Sequence, residues 1–288
     1  MYRLIIWIIL SNAVCFAQSS EMSDPNIPKN LNRIISLAPS LTESIYLLNM
    51  GEYLVGNTVY CNKPDDAKNK QRVATAVDVN IESVVRLKPD LVVATPLTDF
   101  RAIKKIKLLK IKVVTFDQPS TFNQMTRQFL ELGQRLGQQQ LATTIINRAR
   151  KKVGKDNKDA LKNVKKPKVF VQLGARPLFA ATSDSFVNDL ITYAQGINIA
   201  EKEKNGIYSR EMVLSQNPDI ILITSMGMTG EEEQKNWLGY RSLKAAQTKQ
   251  VHIIDSELFC SPSVESYIDA LIELIALLHP QLNWKLKP

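Results

Sequence analysis

The stretch NIESVVRLKPDLVVAT, residues 80–95, and its counterpart SREMVLSQNPDIILIT, residues 209–224, decide the fold of this 288-residue chain. The second copy begins 129 positions after the first, and a glutamate, a valine, a proline, an aspartate and a threonine stand at the same offsets in both. Two copies of one unit, separated by about the length of a small domain, predict two similar lobes rather than one continuous sheet.

Each copy has the pattern of a capped helix followed by a buried strand. Asn80 and Ser209 are suited to the N-cap position, because their side-chain oxygens can accept hydrogen bonds from first-turn amides. Glu82 and Glu211 follow in the first turn, where the positive end of the helix dipole stabilises an anion. A proline then ends each helix, and the apolar run that follows is typical of a parallel strand covered on both faces.

The first 30 residues do not have the pattern of a folded domain. Residues 1–17 are predicted to be a secretory signal peptide, with Arg3 at its start, the apolar stretch Leu4–Leu10 and a small-residue cleavage site that ends at Ala17. The stretch is short for a membrane span, and Cys15 leaves a lipid anchor open as the less favoured alternative. Residues 18–30 are polar with two prolines and are predicted to be a flexible leader.

The composition is that of a globular protein with a basic surface. The chain is 44% hydrophobic and 23% charged, and its formal net charge is +9. Much of the positive excess lies in residues 151–168, where no aromatic residues alternate with the lysines. This pattern indicates a solvated helix face, so no nucleic-acid partner is expected.

Strand and helix patterns alternate on both sides of a connecting segment, which predicts an α/β protein. The N-terminal lobe is expected at residues 31–119; it begins with the strand Arg33–Leu37 and a helix for which Ser40 and Glu43 have the spacing of a capping box. The C-terminal lobe is expected at residues 167–288. Short alternation of strands and helices predicts parallel pairing through right-handed crossovers, hence a Rossmann-like parallel sheet in each lobe.

Residues 120–166 interrupt this alternation. They contain no strand pattern, and their apolar residues recur at helical spacing from Phe129 to Ala149. The segment is therefore predicted to be one long helix that joins the two lobes, with the ligand cleft between them. A helix of half this length would span roughly 30 Å.

Several motifs resemble the helical-backbone periplasmic binding proteins, which serve ABC importers of vitamin B12, ferric siderophores and haem. The string ISLAPSLTE, residues 35–43, is similar to the opening of these proteins. The resemblance continues in order to about residue 280 through LVG at 54–56, both copies of the repeat, and GIN at 196–198. It is strongest to the branch that binds vitamin B12.

The resemblance implies a receptor and not an enzyme. A small-molecule ligand, cobalamin or a related corrinoid, would be held between the lobes, with haem or a ferric siderophore as the alternative and no cofactor of its own. The receptor would be a periplasmic monomer that delivers its ligand to an ABC permease dimer in the inner membrane. Glu82 and Glu211 match the first-turn glutamates that contact permease arginines in such proteins; stabilisation of the helix dipole alone is the competing interpretation.

Ligands of open parallel α/β sheets bind beyond the carboxyl ends of the strands. In B12-binding relatives, aromatic rings from both lobes hold the corrin, and Tyr60 and Phe179 fit that role, although plain core packing is open for both. Two tryptophan positions of those relatives correspond here to Ala76 and Asn205, and Ser261 replaces an expected basic residue. The predicted ligand-binding set is Ser40, Tyr60, Ala76, Phe179, Asn205, Glu257 and Phe259.

Cys61 and Cys260 fall on predicted mouth loops of different lobes. An oxidising compartment permits a disulfide between them if their Cα atoms come within about 7 Å. Two free thiols are the other alternative, and the sequence does not decide between them.

Other functional classes lack the residues they need. A metal site would require several converging ligands, and the only histidines, His252 in an apolar strand and His279 at a helix end, are predicted to be structural. No Gly-x-Ser-x-Gly motif of a hydrolase occurs. A two-lobed sugar-nucleotide transferase, the most distant alternative, would need a phosphate-binding glycine-rich loop, and the 11 glycines are not clustered.

Overall fold

The computed structural model describes residues 31–75, 78–156, 161–224, 230–260 and 263–282. It contains two sheets, one built from residues 34–115 and the other from residues 168–254. The predicted signal peptide, the leader, Cys15, Ala76 and Ser261 lie outside the described residues.

The first sheet consists of β1 (Ile34–Ser36), β2 (Leu54–Thr58), β3 (Gln71–Ala74), β4 (Leu91–Ala94) and β5 (Val113–Thr115). All its pairings are parallel, in the order β3-β2-β1-β4-β5. Its connecting helices are α1 (Pro39–Leu47), α2 (Ile81–Arg86) and α3 (Phe100–Leu108). The neighbouring strands β1 and β4 are buried along their whole length, which is why apolar residues follow one another in both rather than alternating with polar ones.

In its described residues, the connecting segment contains two helices, α4 (Phe122–Arg135) and α5 (Gln139–Lys151), followed by a π-helical turn at Lys152–Asp156. The prediction of one long helix is therefore wrong. Gly137 has a φ of +71°, the left-handed conformation with which helices end and for which glycine has no steric penalty. Beyond it α5 folds back on α4, and a Cβ on Gly133 would come within 2.6 Å of Ala142 Cβ.

The second sheet consists of β6 (Lys168–Ala175), β7 (Leu178–Ala180), β8 (Ile197–Asn198), β9 (Ile220–Thr224) and β10 (Val251–Ile254). Its order is β10-β9-β6-β7, and β8 pairs with the start of β6. β7 runs antiparallel to β6, so the expected all-parallel sheet is wrong for this lobe. A two-residue connection at Arg176 and Pro177 can join only antiparallel neighbours.

The helices of the second half are α6 (Phe186–Tyr193), α7 (Arg210–Gln216), α8 (Gly230–Leu238), α9 (Lys244–Gln247), α10 (Ser256–Cys260) and α11 (Val264–Leu278). Among the described residues, no helix combines the length and the apolar character needed to cross a bilayer.

One hydrophobic core joins the two lobes. It contains inward-facing residues of both sheets, such as Leu91 and Val169, together with Phe129 of α4, Ile146 of α5 and Leu274 of α11. Separate cores cover the outer face of each sheet. Because both sheets pack on the same central helices, relative motion of the lobes has to disturb close-packed side chains, which favours small displacements.

The repeat is confirmed as a structural unit. The Asn80 side chain accepts from the amide of Ser83 at 2.8 Å, and Ser209 Oγ accepts from the amide of Met212 at 3.2 Å. The copies lead into β4 and β9, whose residues are all buried.

The first helix departs from its predicted start. α1 begins at Pro39, and its N-cap residue, Ala38, provides no side-chain hydrogen bond. Ser40 is thus inside the helix and forms no capping box with Glu43. Proline is favoured at the first helical position because its fixed φ suits the helix and its missing N–H needs no partner there.

Candidate functional site

A cavity of about 570 Å³ lies between the lobes, beyond the carboxyl ends of the first sheet. Residues after β1, β3 and β4 form most of its wall, and the second lobe closes it with Ser256, Glu257 and Cys260 of α10. This is the location that parallel α/β topology favours for a ligand, and the volume lies within the range of small-molecule sites.

The cavity wall combines apolar surface with hydroxyl groups. The apolar part comes from small and aliphatic residues, Leu37, Ala38, Pro39, Ala74, Val79 and Leu97. The hydroxyl groups belong to Ser40, Thr58, Thr75, Thr95, Thr98 and Ser256, with Tyr60 adding a phenol. Such a wall can cover a large apolar ligand and fix its orientation by a few hydrogen bonds.

The structure brings three of the predicted ligand-binding residues together at this cavity: Ser40, Tyr60 and Glu257. The Tyr60 side chain is 51% exposed, so its ring is available to a ligand rather than committed to the core. Asn62 Nδ2 of the first lobe lies 3.5 Å from Glu257 Oε1 of the second, which places Glu257 at the contact between the lobes.

Three other predicted residues lie elsewhere in the described part of the chain. Phe259 is 0% exposed and packs in the shared core, because it occupies the inner face of α10. Phe179 lies in β7 and packs beside Gly174 and Gly206. Asn205 is exposed in the turn before Gly206, and neither it nor Phe179 lines the cavity.

Both cysteines are free, which is the second of the two alternatives that the sequence left open. Cys61 is buried within the first lobe, where Thr42 Oγ1 donates to its sulfur at 3.1 Å. Cys260 lines the cavity, and burial, with the nearby charge of Asp255, raises the pKa of its thiol to about 11. The Cys260 thiol is therefore protonated at neutral pH.

Sequence reasoning missed several charged residues of the cavity: Glu43, Lys63, Asp78 and Asp99. Burial raises the pKa of Glu43, and the charge of Glu257 adds to this, while the hydroxyl of Ser263 and the charge of Lys63 oppose it. Lys63 Nζ lies 4.0 Å from Asp255 Oδ2, a second polar contact between the lobes. Asp99 lies in the loop after β4, four residues beyond Thr95, so the rule that pointed to residues after strands could also have found it.

Glu82 and Glu211 are exposed in the first turns of α2 and α7. Each helix turns directly into the next strand, so its first turn lies at the carboxyl edge of its sheet, the edge that faces the cavity. The pKa of Glu211 is lowered because its carboxylate accepts hydrogen bonds from its own backbone amide and from Ser209.

A buried polar network occupies the corresponding edge of the second sheet. Glu233 accepts from Gln172 Nε2 at 2.8 Å and from Arg210 Nη2 at 2.6 Å, and Trp237 Nε1 donates to Gln172 Oε1 at 2.6 Å. Arg210 also lies over the Trp237 ring, 4.6 Å from its centroid. These side chains hydrogen-bond to one another at the carboxyl edge of the second sheet, while Arg210 Nη1 is buried without a hydrogen-bond partner among the described residues.

The histidines lie away from the cavity. His279 is buried and its Nε2 lies 2.8 Å from the carbonyl of Ala194. His252 is in β10, 2.9 Å from Gln250 Oε1, and burial lowers its pKa. Among the residues that the structure describes, no group of three or more His, Cys, Asp or Glu side chains could hold a metal ion.

Comparison with known sequences gives one family match and several relatives. Residues 34–258 match the model of the periplasmic binding protein family. An uncharacterized ABC transporter substrate-binding lipoprotein, YvrC of Bacillus subtilis, is 27% identical over 89% of this chain and 83% of its own length. A vitamin B12-binding protein of Yersinia pestis is 26% identical over 72% of this chain and 74% of its own length.

Solved structures share the fold. A possible iron-binding, periplasmic solute-binding protein from Staphylococcus epidermidis superposes with a TM-score of 0.77 at 24% identity, over 87% of this chain and 100% of the other. A periplasmic haem-binding protein from Pseudomonas aeruginosa gives 0.78 at 21% identity, over 87% and 94%. These similarities establish the two-lobed architecture and leave the ligand open.

Proposed function

Because the chain belongs to the periplasmic binding protein family and is a substrate-binding protein of the ABC transporter type, we propose that it captures cobalamin or a related corrinoid. It acts in the periplasm, after removal of residues 1–17, as a monomer that passes its ligand to a permease dimer. The observation that carries the proposal is the open cavity between the lobes, whose apolar wall and exposed Tyr60 suit a macrocycle.

Tyr60 supports a macrocyclic ligand through its exposed ring. An aromatic face stacked on a flat conjugated ring contributes about 0.5–1.5 kcal/mol beyond the area it buries. The vitamin B12-binding relative from Yersinia pestis supports a corrin in particular. Haem or a ferric siderophore is the alternative ligand, and Tyr60 favours it in one respect, because a phenolate can ligate ferric iron.

Titration calorimetry with cyanocobalamin tests the ligand. Tyr60→Ala is expected to weaken binding about tenfold through the loss of ring contact. Tyr53→Ala is the matched control, since Tyr53 is a part-exposed tyrosine of the same lobe outside the cavity. Failure of the native protein to bind cobalamin or any other corrinoid would overturn the corrinoid proposal.

Delivery to the permease is proposed to depend on Glu82 and Glu211. A pair of equivalent acidic side chains on two similar lobes suits a permease with two equivalent subunits. Both side chains are exposed at the cavity side of their lobes, where nothing in the described residues covers them.

The double variant Glu82→Ala/Glu211→Ala is expected to abolish ligand uptake in cells while leaving ligand affinity unchanged. The control is Glu231→Ala/Glu265→Ala, which removes two exposed glutamates that also lie in first helical turns. If both doubles transport equally well, the glutamates serve only the helix dipoles and the docking proposal is wrong.

A further inference from the structure

The charge of the cavity is opposite to that of the chain. The chain carries a formal net charge of +9. The cavity wall, however, contains four carboxylates, Glu43, Asp78, Asp99 and Glu257, against one ammonium group, Lys63. A ligand in the cavity therefore experiences a local negative excess that the overall charge of the protein does not predict.

Two of the five charged groups of the cavity wall, Lys63 and Asp99, lie within ion-pair distance of oppositely charged residues outside the wall. Lys63 is directed to Asp255, with Nζ 4.0 Å from Oδ2, and Asp99 lies 3.7 Å from Arg101 Nε. The remaining wall charges are the carboxylates of Glu43, Asp78 and Glu257. The positive charge of Lys63 is thus shared with Asp255 and is a weak counter-charge for an anionic ligand.

Glu43 and Glu257 come from different lobes and influence each other. Glu43 lies on α1 of the first lobe and Glu257 on α10 of the second, and the negative charge of Glu257 helps to raise the pKa of Glu43. A ligand between the lobes is therefore flanked by carboxylates on both sides. Repulsion or attraction in such a partly enclosed site is stronger than in bulk water, because the effective dielectric constant is lower.

We propose that this cavity selects a ligand without net negative charge, neutral or cationic, that directs hydrogen-bond donors such as amide N–H groups at Glu43, Asp78 and Glu257. The inference rests on the proposed function and narrows its ligand class. A macrocycle edged with amides can donate to the three carboxylates, in addition to the hydrogen bonds that Glu43 receives from Ser263 and Glu257 from Asn62. A macrocycle edged with carboxylates, or an anionic ferric chelate, places like charges together.

The experiment compares three pairs of probes that differ in charge within one framework. The pairs are dicyanocobinamide and dicyanocobyrinic acid heptacarboxylate, the diamide of haem and haem with free propionates, and ferrioxamine B and its N-succinyl derivative. Affinities are measured for the protein without residues 1–17 at neutral pH and low salt. In every framework that binds, the non-anionic member is expected to bind about tenfold tighter or more.

Variants identify the source of the selection. Glu43→Gln/Glu257→Gln is expected to reduce the preference within a pair by about threefold to tenfold. The control Glu52→Gln/Glu231→Gln removes two exposed carboxylates that lie outside the cavity wall, and it should leave the preference as in the native protein. Circular dichroism verifies that both double variants are folded. The native protein by itself already tests whether the non-anionic probe of each pair binds more tightly.

The outcomes separate this inference from the proposed function. An anionic member that binds as tightly as its partner, or tighter, overturns the charge selection while the receptor function stands. A preference that both doubles reduce equally shows a general charge effect and also overturns it. Absence of binding by all six probes overturns the proposed ligand class and this inference together.

Discussion

The two lobes share one helix–strand unit but use the carboxyl edge of their sheets differently. In the first lobe, the residues that follow β4, among them Leu97 and Asp99, line the cavity. At the same edge of the second lobe, Gln172 of β6 forms hydrogen bonds with Glu233 and Trp237 of α8. The repeated sequence therefore fixes the backbone unit, whereas residues outside the repeat decide whether an edge becomes a ligand wall or a packed polar interior.

The largest expected loss of stability comes from truncating Trp237, the tryptophan at the carboxyl edge of the second sheet. Trp237 is 0% exposed, donates to Gln172 and packs edge-on against Phe170. Trp237→Ala is expected to lower the free energy of unfolding by about 3–5 kcal/mol, since it creates a cavity and leaves a buried amide oxygen without its donor. Chemical denaturation measures this loss.

The matched change in the first lobe is Leu97→Ala. Leu97 is 77% exposed, so its truncation should alter stability by less than about 0.5 kcal/mol. Similar losses in the two variants would contradict the contrast between a packed edge and an open one.

A smaller loss of stability is expected when the aspartates of the repeat are replaced, and it should be similar in the two lobes. Asp90 accepts from the amide of Arg33 at 2.9 Å, and Asp219 accepts from the amide of Lys168 at 2.7 Å. Each carboxylate thereby fixes the start of its central strand. Asp90→Ala and Asp219→Ala should each cost about 1–2 kcal/mol, the usual range for hydrogen bonds to a charged group near the surface.

Asp219 differs from Asp90 by an additional ion pair with Lys244. Burial alone would raise the pKa of Asp219, but hydrogen bonds from Lys244 and from the Lys168 amide outweigh it, so the pKa is lowered. The contribution of Asp219 to the free energy of unfolding is therefore present above its unfolded pKa and is lost as the pH falls through its folded pKa. Thermal denaturation between pH 2 and 7 should show a larger loss of stability on acidification for the native protein than for Asp219→Ala; equal losses in the two proteins would contradict it.

The smallest expected change in stability concerns one carboxylate on the first helix of each lobe, Glu43 on α1 and Asp189 on α6. Burial raises the pKa of both, and the hydrogen bonds that Asp189 accepts from the Phe122 amide and the Tyr267 hydroxyl only partly oppose this. A raised folded pKa means that the native state binds more protons, so the contribution to stability is fully present below the unfolded pKa. It is lost as the pH rises through the folded value, by about 1.4 kcal/mol for each unit of difference.

Glu43→Gln and Asp189→Asn should each remove one such contribution, so that between about pH 3 and pH 7 the stability of each variant rises more steeply with pH than that of the native protein. Asp184→Asn is a control, because Asp184 is exposed on the loop before α6. Stability curves of Glu43→Gln and Asp189→Asn that run parallel to the native curve over this pH range would contradict the assignment.

Local signals were sufficient for the repeat and for many helix and strand positions. The caps at Asn80 and Ser209 were predicted correctly, because a short polar side chain before an apolar helical pattern has few other uses. At Ser40 the same signal misled, since Pro39 directly precedes it and starts the helix one residue earlier. The connector was misread because helical spacing continues on both sides of Gly137, and spacing alone does not show that a chain turns back.

The candidate site was only partly predictable. Tyr60 and Glu257 were found because they follow strands, whereas Phe259, two residues beyond Glu257, points into the core. Residues two apart on a helix face nearly opposite directions, because each residue turns by about 100°, and the sequence does not show which direction is the cavity. Glu43 was missed because it was assigned to a capping box with Ser40, although its side chain borders the cavity.

The sequence by itself determined two lobes, their helix–strand units and a pair of glutamates at equivalent positions, because capping and burial patterns are local along the chain. Tertiary structure alone decided that α5 folds back on α4, that one core holds both sheets, and that carboxylates from both lobes meet at the cavity. These features depend on contacts between residues far apart in the chain, whose proximity exists only once the lobes have packed.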